Sequence, residues 1–464
     1  MRFLLAFLLF FAASAGAKER PKTAQVGSKV APKVAPTPPP PTATATFVLD
    51  LDSSRVLESK NPHARLFPAS TTKIMTCLVA LEHGNPNQII RAGVNAAATG
   101  ESGIGLLAGE NRTLRELIEA ALVHSANDAC VVIAEGVGGS QAKFVGWMNQ
   151  KARDLGCRDT HFVNPHGLHD PNHYTSAHDL AVIARAALQN PFISEVARQK
   201  VATIGGNWKI GPTRVMINRN KLLFRWAACD GLKTGYTRQA GNCLVASATQ
   251  INPATGKPWR LLAVALKATH GQSFEVCQNL LQKAFASYQP QQVAQGGDTV
   301  AEKAIKGGAF PLEAQTSRAI FLPLSPFERQ TLTRRVHFLE LTAPLRKGAV
   351  VGNVEYLATP NARPGAAPRR IALATLVARG DVPQTLLART VPAVGNRFGP
   401  VSLGVRLLFL ALLCGGAAFL LLAKRKNHVR RRTQSAFQPV TLEPRSGARN
   451  AQSNARHHRS RPRN

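Results

Sequence analysis

The order of local patterns predicts an α+β fold with a smaller β-rich unit behind it. Strand-like alternation near residue 46 gives way to helical periodicity, and strands return after residue 200, so early and late strands should share one sheet. From Gln289 the chain shifts to short β-rich pieces separated by turn residues. With 464 residues there is length for more than one core.

The elements follow in order. Thr46–Leu51 alternates into an acid-rich turn, and Arg55–Glu58 continues it, which predicts a hairpin. Ile74, Met75, Leu78 and Val79 recur at helical spacing after Pro68, and Gly84 stands where a C′ glycine would end the helix. Thr113 and Glu116 form a capping-box pattern ahead of Leu114, Leu117, Ile118, Ala121 and Leu122. Helices are expected over 128–135, around Phe144 to Leu155, and over 176–188, with a polar loop at 162–173. Segments 231–236, 243–249 and 260–265 predict strands, and 274–285 a closing helix. Further strands are expected at 318–324, 334–341 and 349–356.

The ends suggest export and tethering. A charged start, the apolar run Phe3 to Phe11 and the small residues 15–17 predict a signal cut after Ala17. Residues 18–45 form a Pro/Lys/Ala-rich linker that cannot bury a core. Residues 403–423 contain an uncharged run, Leu407 to Ala423, long enough for a short membrane span. The tail 424–464 carries twelve Lys or Arg against one acid, Glu443, which by the positive-inside rule places it in the cytoplasm. The intervening layout is a catalytic domain at 46–288, a small β-rich domain at 289–385 and a linker at 386–402. The formal charge of +32 owes much to this tail, so membrane electrostatics accounts for it better than nucleic-acid binding does. Seven cysteines show no C-x-x-C spacing, so no metal or other cofactor is expected.

Three motifs carry the chemistry. Ser70 and Lys73 lie three apart on one helix face. A serine hydroxyl needs a base, and a lysine serves once its pKa falls through burial or a second cation such as Lys233. Ser125 and Asn127 straddle one residue in a loop between helices, so both can face a cleft. Lys233, Thr234 and Gly235 suit a strand edge that admits a substrate backbone and binds a carboxylate. Single motifs are weak evidence: Ser140 and Lys143 repeat the first spacing at the start of an ordinary amphipathic helix. The three in order are the set found in serine β-lactamases and penicillin-binding proteins.

At these residues the chain resembles the low-molecular-weight penicillin-binding proteins that act as D-alanyl-D-alanine carboxypeptidases, the S11 serine peptidases. The likeness extends over Phe67 to Lys73, His124 to Cys130, Asn164 to Leu168, Asp230 to Tyr236 and Gly241 to Ser247, and covers about 45–288. The resemblance implies a β-lactamase/transpeptidase-like fold. Its substrate would be the peptidoglycan stem peptide, and β-lactams would acylate the same serine. It implies Ser70 as nucleophile, Lys73 as base, and Ser125 and Lys233 as proton relay. Asn127 would hold the peptide and orient Lys73, Thr234 would bind the terminal carboxylate, and the N–H groups of Ser70 and Tyr236 would form the oxyanion hole. Residues 290–385 resemble the membrane-proximal domain of many members.

Two departures stand out. Where many members carry a carboxylate-binding arginine, this chain has Gly271, Gln272, Ser273 and Phe274, leaving Arg260 or His270 as candidates. Where many attach by an amphipathic helix, this one has the uncharged run. Competing readings are a class A-like β-lactamase, an endopeptidase on cross-links, and a silent wall-binding scaffold. The first needs a glutamate that the 162–173 loop lacks. A metal site in that loop, at His166, His169, Asp170 and His173, is a further alternative, weakened by Gly167 and Pro171.

Overall fold

The computed structural model describes residues 41–385, apart from 206–211, 254, 270 and 361–365. The expected signal, the linker as far as residue 40, the connector, the span at 403–423 and the basic tail lie outside the described residues. Among the described residues, no helix is long and apolar enough to cross a membrane.

Five antiparallel strands form the principal sheet, in the order Val56–Lys60, Ala43–Asp50, Pro258–Ala268, Gly241–Ile251, Cys229–Thr237. Early and late strands do share it: Phe47 pairs with Val264 and Val48 with Ala263. The first strand starts at Ala43 rather than Thr46, because buried Ala43 and Ala45 extend the alternation backwards. The pleat sends successive residues to opposite faces. Phe47, Leu49, Leu262, Val264 and Leu266 pack under the helices. Val48, Leu261, Ala263 and Ala265 pack with Cys277 and Leu281 of the closing helix Ser273–Ser287. A strand covered on both faces needs an unbroken apolar run, and Leu261 to Leu266 supplies it.

The helical layer begins with Lys73–His83, buried from Lys73 to Ala80. Gly84 does end this helix, but its backbone is extended, not left-handed. The glycine is needed for space, since a Cβ there would lie 2.8 Å from Leu114 Cδ2. Thr113 and Glu116 form the expected capping box on Leu114–Glu119. That helix widens into a π-helical turn, Ala120–His124, which ends at Ser125. Helices Asn127–Gly138, Gln141–Asp154 and Ala177–Leu188 follow. Ser140, the repeat of the first motif, caps its helix by accepting from Lys143 N–H at 3.2 Å. The helix Pro191–Arg198 and the ribbon of Val201–Ile204 with Arg214–Ile217 were not anticipated.

Beyond Tyr288 a second five-stranded sheet runs Thr299–Lys303, Leu312–Thr316, Arg369–Ala378, Val350–Ala358, Thr333–Phe338. It has a core of its own, including Leu312, Val351, Val354, Tyr356 and Leu376. Strands Gln289–Ala294 and Ile320–Leu324 pair beside it. Arg55 of the first hairpin ties the two regions, forming a buried ion pair with Glu328 and donating to the Pro323 carbonyl. The six described cysteines are unpaired and buried.

Candidate active site

The turn carrying Ser70 is built by close approach. Ala69 adopts a left-handed φ of 49°, and the short 3-10 turn Ala69–Thr72 runs straight into the Lys73 helix. Thr71 Oγ1 donates to the Pro68 carbonyl at 2.7 Å and fixes the entry. Gly167 presses on this turn from the 162–173 loop: a Cβ there would stand 1.9 Å from the Ala69 oxygen. A non-glycine residue in a left-handed conformation is uncommon and marks strain held by its surroundings.

Lys73 is fully buried, and its Nζ contacts Ser70 Oγ at 2.9 Å, Asn127 Oδ1 at 2.7 Å and the His166 carbonyl at 2.6 Å. Burial pulls its pKa down to about 8, partly opposed by Cys130, Cys77, Glu101 and Asp128. Burial, rather than a neighbouring cation, is the leading cause here. Lys233 is equally buried, and burial followed by the Lys73 charge holds it well below the ordinary lysine range.

Ser125 sits at the end of the π-helical turn with a left-handed φ of 71°. Such turns recur at functional sites. Asn127 opens the next helix but does not cap it. Its Oδ1 receives Lys73, and its Nδ2 donates to the Gly100 carbonyl at 3.1 Å, so the amide orients the lysine and both its ends are engaged within the chain. Buried Asp128 accepts from the Ile104 and Leu106 N–H groups at 3.0 and 3.1 Å, fixing the facing loop. Among the described residues no hydrogen bond joins Ser125 Oγ to either lysine.

The strand Cys229–Thr237 is the edge of the sheet and packs against both the Ser70 turn and the Ser125 turn. Lys233 and Gly235 face the helices, opposite Val245 and Cys243 of the neighbouring strand. A Cβ on Gly235 would meet the Pro68 oxygen at 2.9 Å and the Ser70 nitrogen at 3.1 Å, so glycine lets the edge close on the Ser70 turn. Thr234 is half-buried and alternates to the other side, and Tyr236 is 57% exposed at the open rim. Lys233 Nζ donates to the Thr234 carbonyl at 3.0 Å.

The histidine-rich loop serves as a brace. His173 Nε2 meets Thr72 Oγ1 at 2.8 Å, and its Nδ1 accepts from Val163 N–H at 3.1 Å. His166 Nδ1 accepts from Leu168 N–H at 3.2 Å. Burial pulls His166 down to about 3 and His173 to about 4, so both rings are neutral. Among the described residues no group of three His, Cys, Asp or Glu could hold a metal ion. Arg260 is not a free carboxylate clamp. It is bound to Asp230 Oδ1 at 2.9 Å, Ser194 Oγ at 2.8 Å and Ser247 Oγ at 3.1 Å. His270 lies outside the described residues. Sequence reasoning missed the His166 carbonyl, because a backbone acceptor leaves no side-chain signature. It also missed the bracket of Asn164, whose Oδ1 accepts from Gly167 N–H at 2.7 Å. An Asn three residues before a glycine was the available turn signal.

A family model described as D-alanyl-D-alanine carboxypeptidase, peptidase S11, matches residues 33–269. D-alanyl-D-alanine carboxypeptidase DacF of Bacillus subtilis (strain 168) is 32% identical over 326 residues, which span 67% of this chain and 80% of that protein. DacA of Haemophilus influenzae is 33% identical over 334 residues, 69% of this chain and 82% of its own. The crystal structure of penicillin binding protein 5 from Haemophilus influenzae superposes with a TM-score of 0.63 at 31% identity, covering 75% of this chain and 99% of that one. The α+β frame is therefore that of the penicillin-binding serine enzymes. Within them, the chain belongs to the S11 family of D-alanyl-D-alanine carboxypeptidases, which makes it a serine-type carboxypeptidase.

Proposed function

We propose that this enzyme removes the terminal D-Ala from peptidoglycan stem pentapeptides through an acyl-enzyme on Ser70, with Lys73 as general base. The three contacts of Lys73 Nζ carry the reading. A neutral amine has two N–H groups and one lone pair. The Asn127 Oδ1 and the His166 carbonyl can only accept, so they take both N–H groups. The lone pair is left for the Ser70 hydroxyl, the one partner able to donate. Proton loss from Ser70 then accompanies attack on the carbonyl of the penultimate D-Ala.

The N–H groups of Ser70 and Tyr236 would hold the developing oxyanion. The open edge of the Lys233 strand would accept the extended peptide as an added strand, with Thr234 at the terminal carboxylate. Ser125 and Lys233 would return the proton to the departing amine, and water would release the shortened peptide. β-Lactams would acylate Ser70 and remain.

The same proposal assigns 46–288 as the catalytic domain and 289–385 as a spacer toward the membrane. Export by the 1–17 signal and tethering by 403–423 would place the catalytic domain outside, with the basic tail inside. The runs at 3–11 and 407–423 and the twelve basic residues of the tail support this layout. Incubation with labelled penicillin, followed by mapping of the modified residue, tests the chemistry. Label on Ser70, with label and D-Ala release both lost in Ser70→Ala, is the expected result; label retained in that variant defeats the assignment.

A further inference from the structure

The segment from Ser125 to Asp128 is held from one side by the loop 100–106, which has no helix or strand of its own. The helix that Asn127 opens has no side-chain cap. Its first donors go to the loop instead. Asn127 N–H donates to the Ser102 carbonyl at 2.7 Å, and Asn127 Nδ2 donates to the Gly100 carbonyl at 3.1 Å. The loop therefore places the amide from behind, and its free end, Oδ1, meets Lys73 Nζ at 2.7 Å.

The loop is itself clamped by Asp128. This side chain is 3% exposed, and its carboxylate accepts from the N–H groups of Ile104 at 3.0 Å, Leu106 at 3.1 Å and Ala129 at 2.9 Å. A buried carboxylate is tolerated where several N–H groups meet it, and such charge-assisted bonds are strong. The loop wraps it closely: a Cβ on Gly103 would stand 3.0 Å from Asp128 Oδ2. The loop carries two left-handed residues, Glu101 at a φ of 63° and Gly105 at 69°, so its path has to be held by its surroundings. Asp128 makes no hydrogen bond to Ser70, Lys73, Ser125 or Lys233 among the described residues. One chain of contacts nevertheless runs from Asp128 through the loop to Asn127, then to Lys73 and Ser70.

We propose that Asp128 is a positioning residue for the general base: by clamping the loop 100–106 it sets the Asn127 amide, and through that amide Lys73. The proposal rests on the reading of Ser70 as nucleophile and Lys73 as base. It assigns the loop a task distinct from packing, because two of its carbonyls and two of its N–H groups form the link between the carboxylate and the amide.

The test is acylation of the purified full chain by a fluorescent penicillin. Rates are compared above about pH 9, where Lys73 is largely neutral, so that loss of the Asp128 charge does not enter through the lysine. Asp128→Asn turns an acceptor toward the loop into an N–H donor facing other donors, and acylation should fall about tenfold or more. Gly103→Ala keeps the carboxylate but displaces it by a few tenths of an ångström, and should cost about fivefold. Both effects should shrink to less than about twofold when added to Asn127→Ala, because the amide through which they act is then gone. A general loosening of the fold would carry its full loss into that background. A thermal melt checks that each variant is folded; should Asp128→Asn not fold, Gly103→Ala alone and with Asn127→Ala decides. Wild-type acylation in the folded single variants, or the same fold-loss with and without Asn127→Ala, would overturn the positioning role while leaving the chemistry intact. A wild-type chain that takes no penicillin on Ser70 removes the underlying reading and this role together.

Discussion

Gly167→Ala tests the tie between the histidine-rich loop and the nucleophile turn. Gly167 has a φ of 88°, and a Cβ there would lie 1.9 Å from the Ala69 oxygen and 2.9 Å from Thr72 Oγ1. Ordinary contact begins at 3.4 Å, so the loop or the turn must move by about 1.5 Å, the difference 3.4 − 1.9. Either movement reaches the chemistry. Ala69 directly precedes Ser70, and His166, the neighbour of Gly167, holds Lys73 at 2.6 Å. A misplacement of about 1 Å can cost on the order of 100-fold in rate, equivalent to about 2.7 kcal/mol on the acylation barrier. The assay is stopped-flow acylation by a fluorescent penicillin. A thermal melt separates this effect from instability, since a left-handed alanine costs only about 1–2 kcal/mol. Gly139→Ala is the control: its φ is 77° with nothing within 4 Å of the added carbon, so it carries the backbone cost alone and should acylate normally. Wild-type acylation by folded Gly167→Ala, or an equal loss in Gly139→Ala, refutes the reasoning.

The acylation rate should rise with pH. Lys73 titrates near 8, so roughly a tenth of molecules hold the neutral amine at pH 7, and the rate levels off above about pH 9; a flat profile between these limits contradicts Lys73 as the base. Asn127→Asp replaces a neutral acceptor by an anion at 2.7 Å, which favours the ammonium form. Its profile should shift to higher pH, with acylation at pH 7 down roughly tenfold or more, and a shift the other way argues against this placement of the amide. Arg55→Ala leaves Glu328 buried without its cation. It should cost about 3–5 kcal/mol in denaturant unfolding, and a loss below about 1 kcal/mol would mean that the pair is compensated elsewhere.

The parts legible in the sequence were those with local signatures. Alternation located the first hairpin and the three late strands, and Thr113 with Glu116 announced a cap that exists. The Ser140 repeat is a helix cap, its hydroxyl accepting from Lys143 N–H. What was not legible depends on tertiary approach. Gly84 is in the right place for a different reason, the side chain of Leu114. Arg260 was a reasonable clamp candidate until the fold paired it with Asp230, thirty positions away in sequence. The helix Pro191–Arg198 was overlooked although Asn190 caps it by accepting from Phe192 and Ile193 N–H at 3.0 and 3.3 Å. An Asn-Pro pair reads as a turn, and here the turn is the cap itself. The strand Arg369–Ala378 was overlooked because much of it is exposed and its alternation is weak.

The two buried lysines differ in a way that gives the proton a direction. A buried ammonium is tolerated where all three of its donors are met. Lys73 has three acceptors once the Ser70 oxygen no longer carries hydrogen. Among the described residues Lys233 has one, the Thr234 carbonyl. Burial first, and then the charge of Lys73, holds Lys233 down. In the proposed mechanism the proton would therefore rest on Lys73 during attack, with Lys233 neutral and free to serve the departing amine. A neutral lysine has a lone pair to receive a proton and an N–H to pass one on. Under the proposed mechanism this accounts for two lysines in one site: the base would be the one with a full set of acceptors, and the relay the one with fewer.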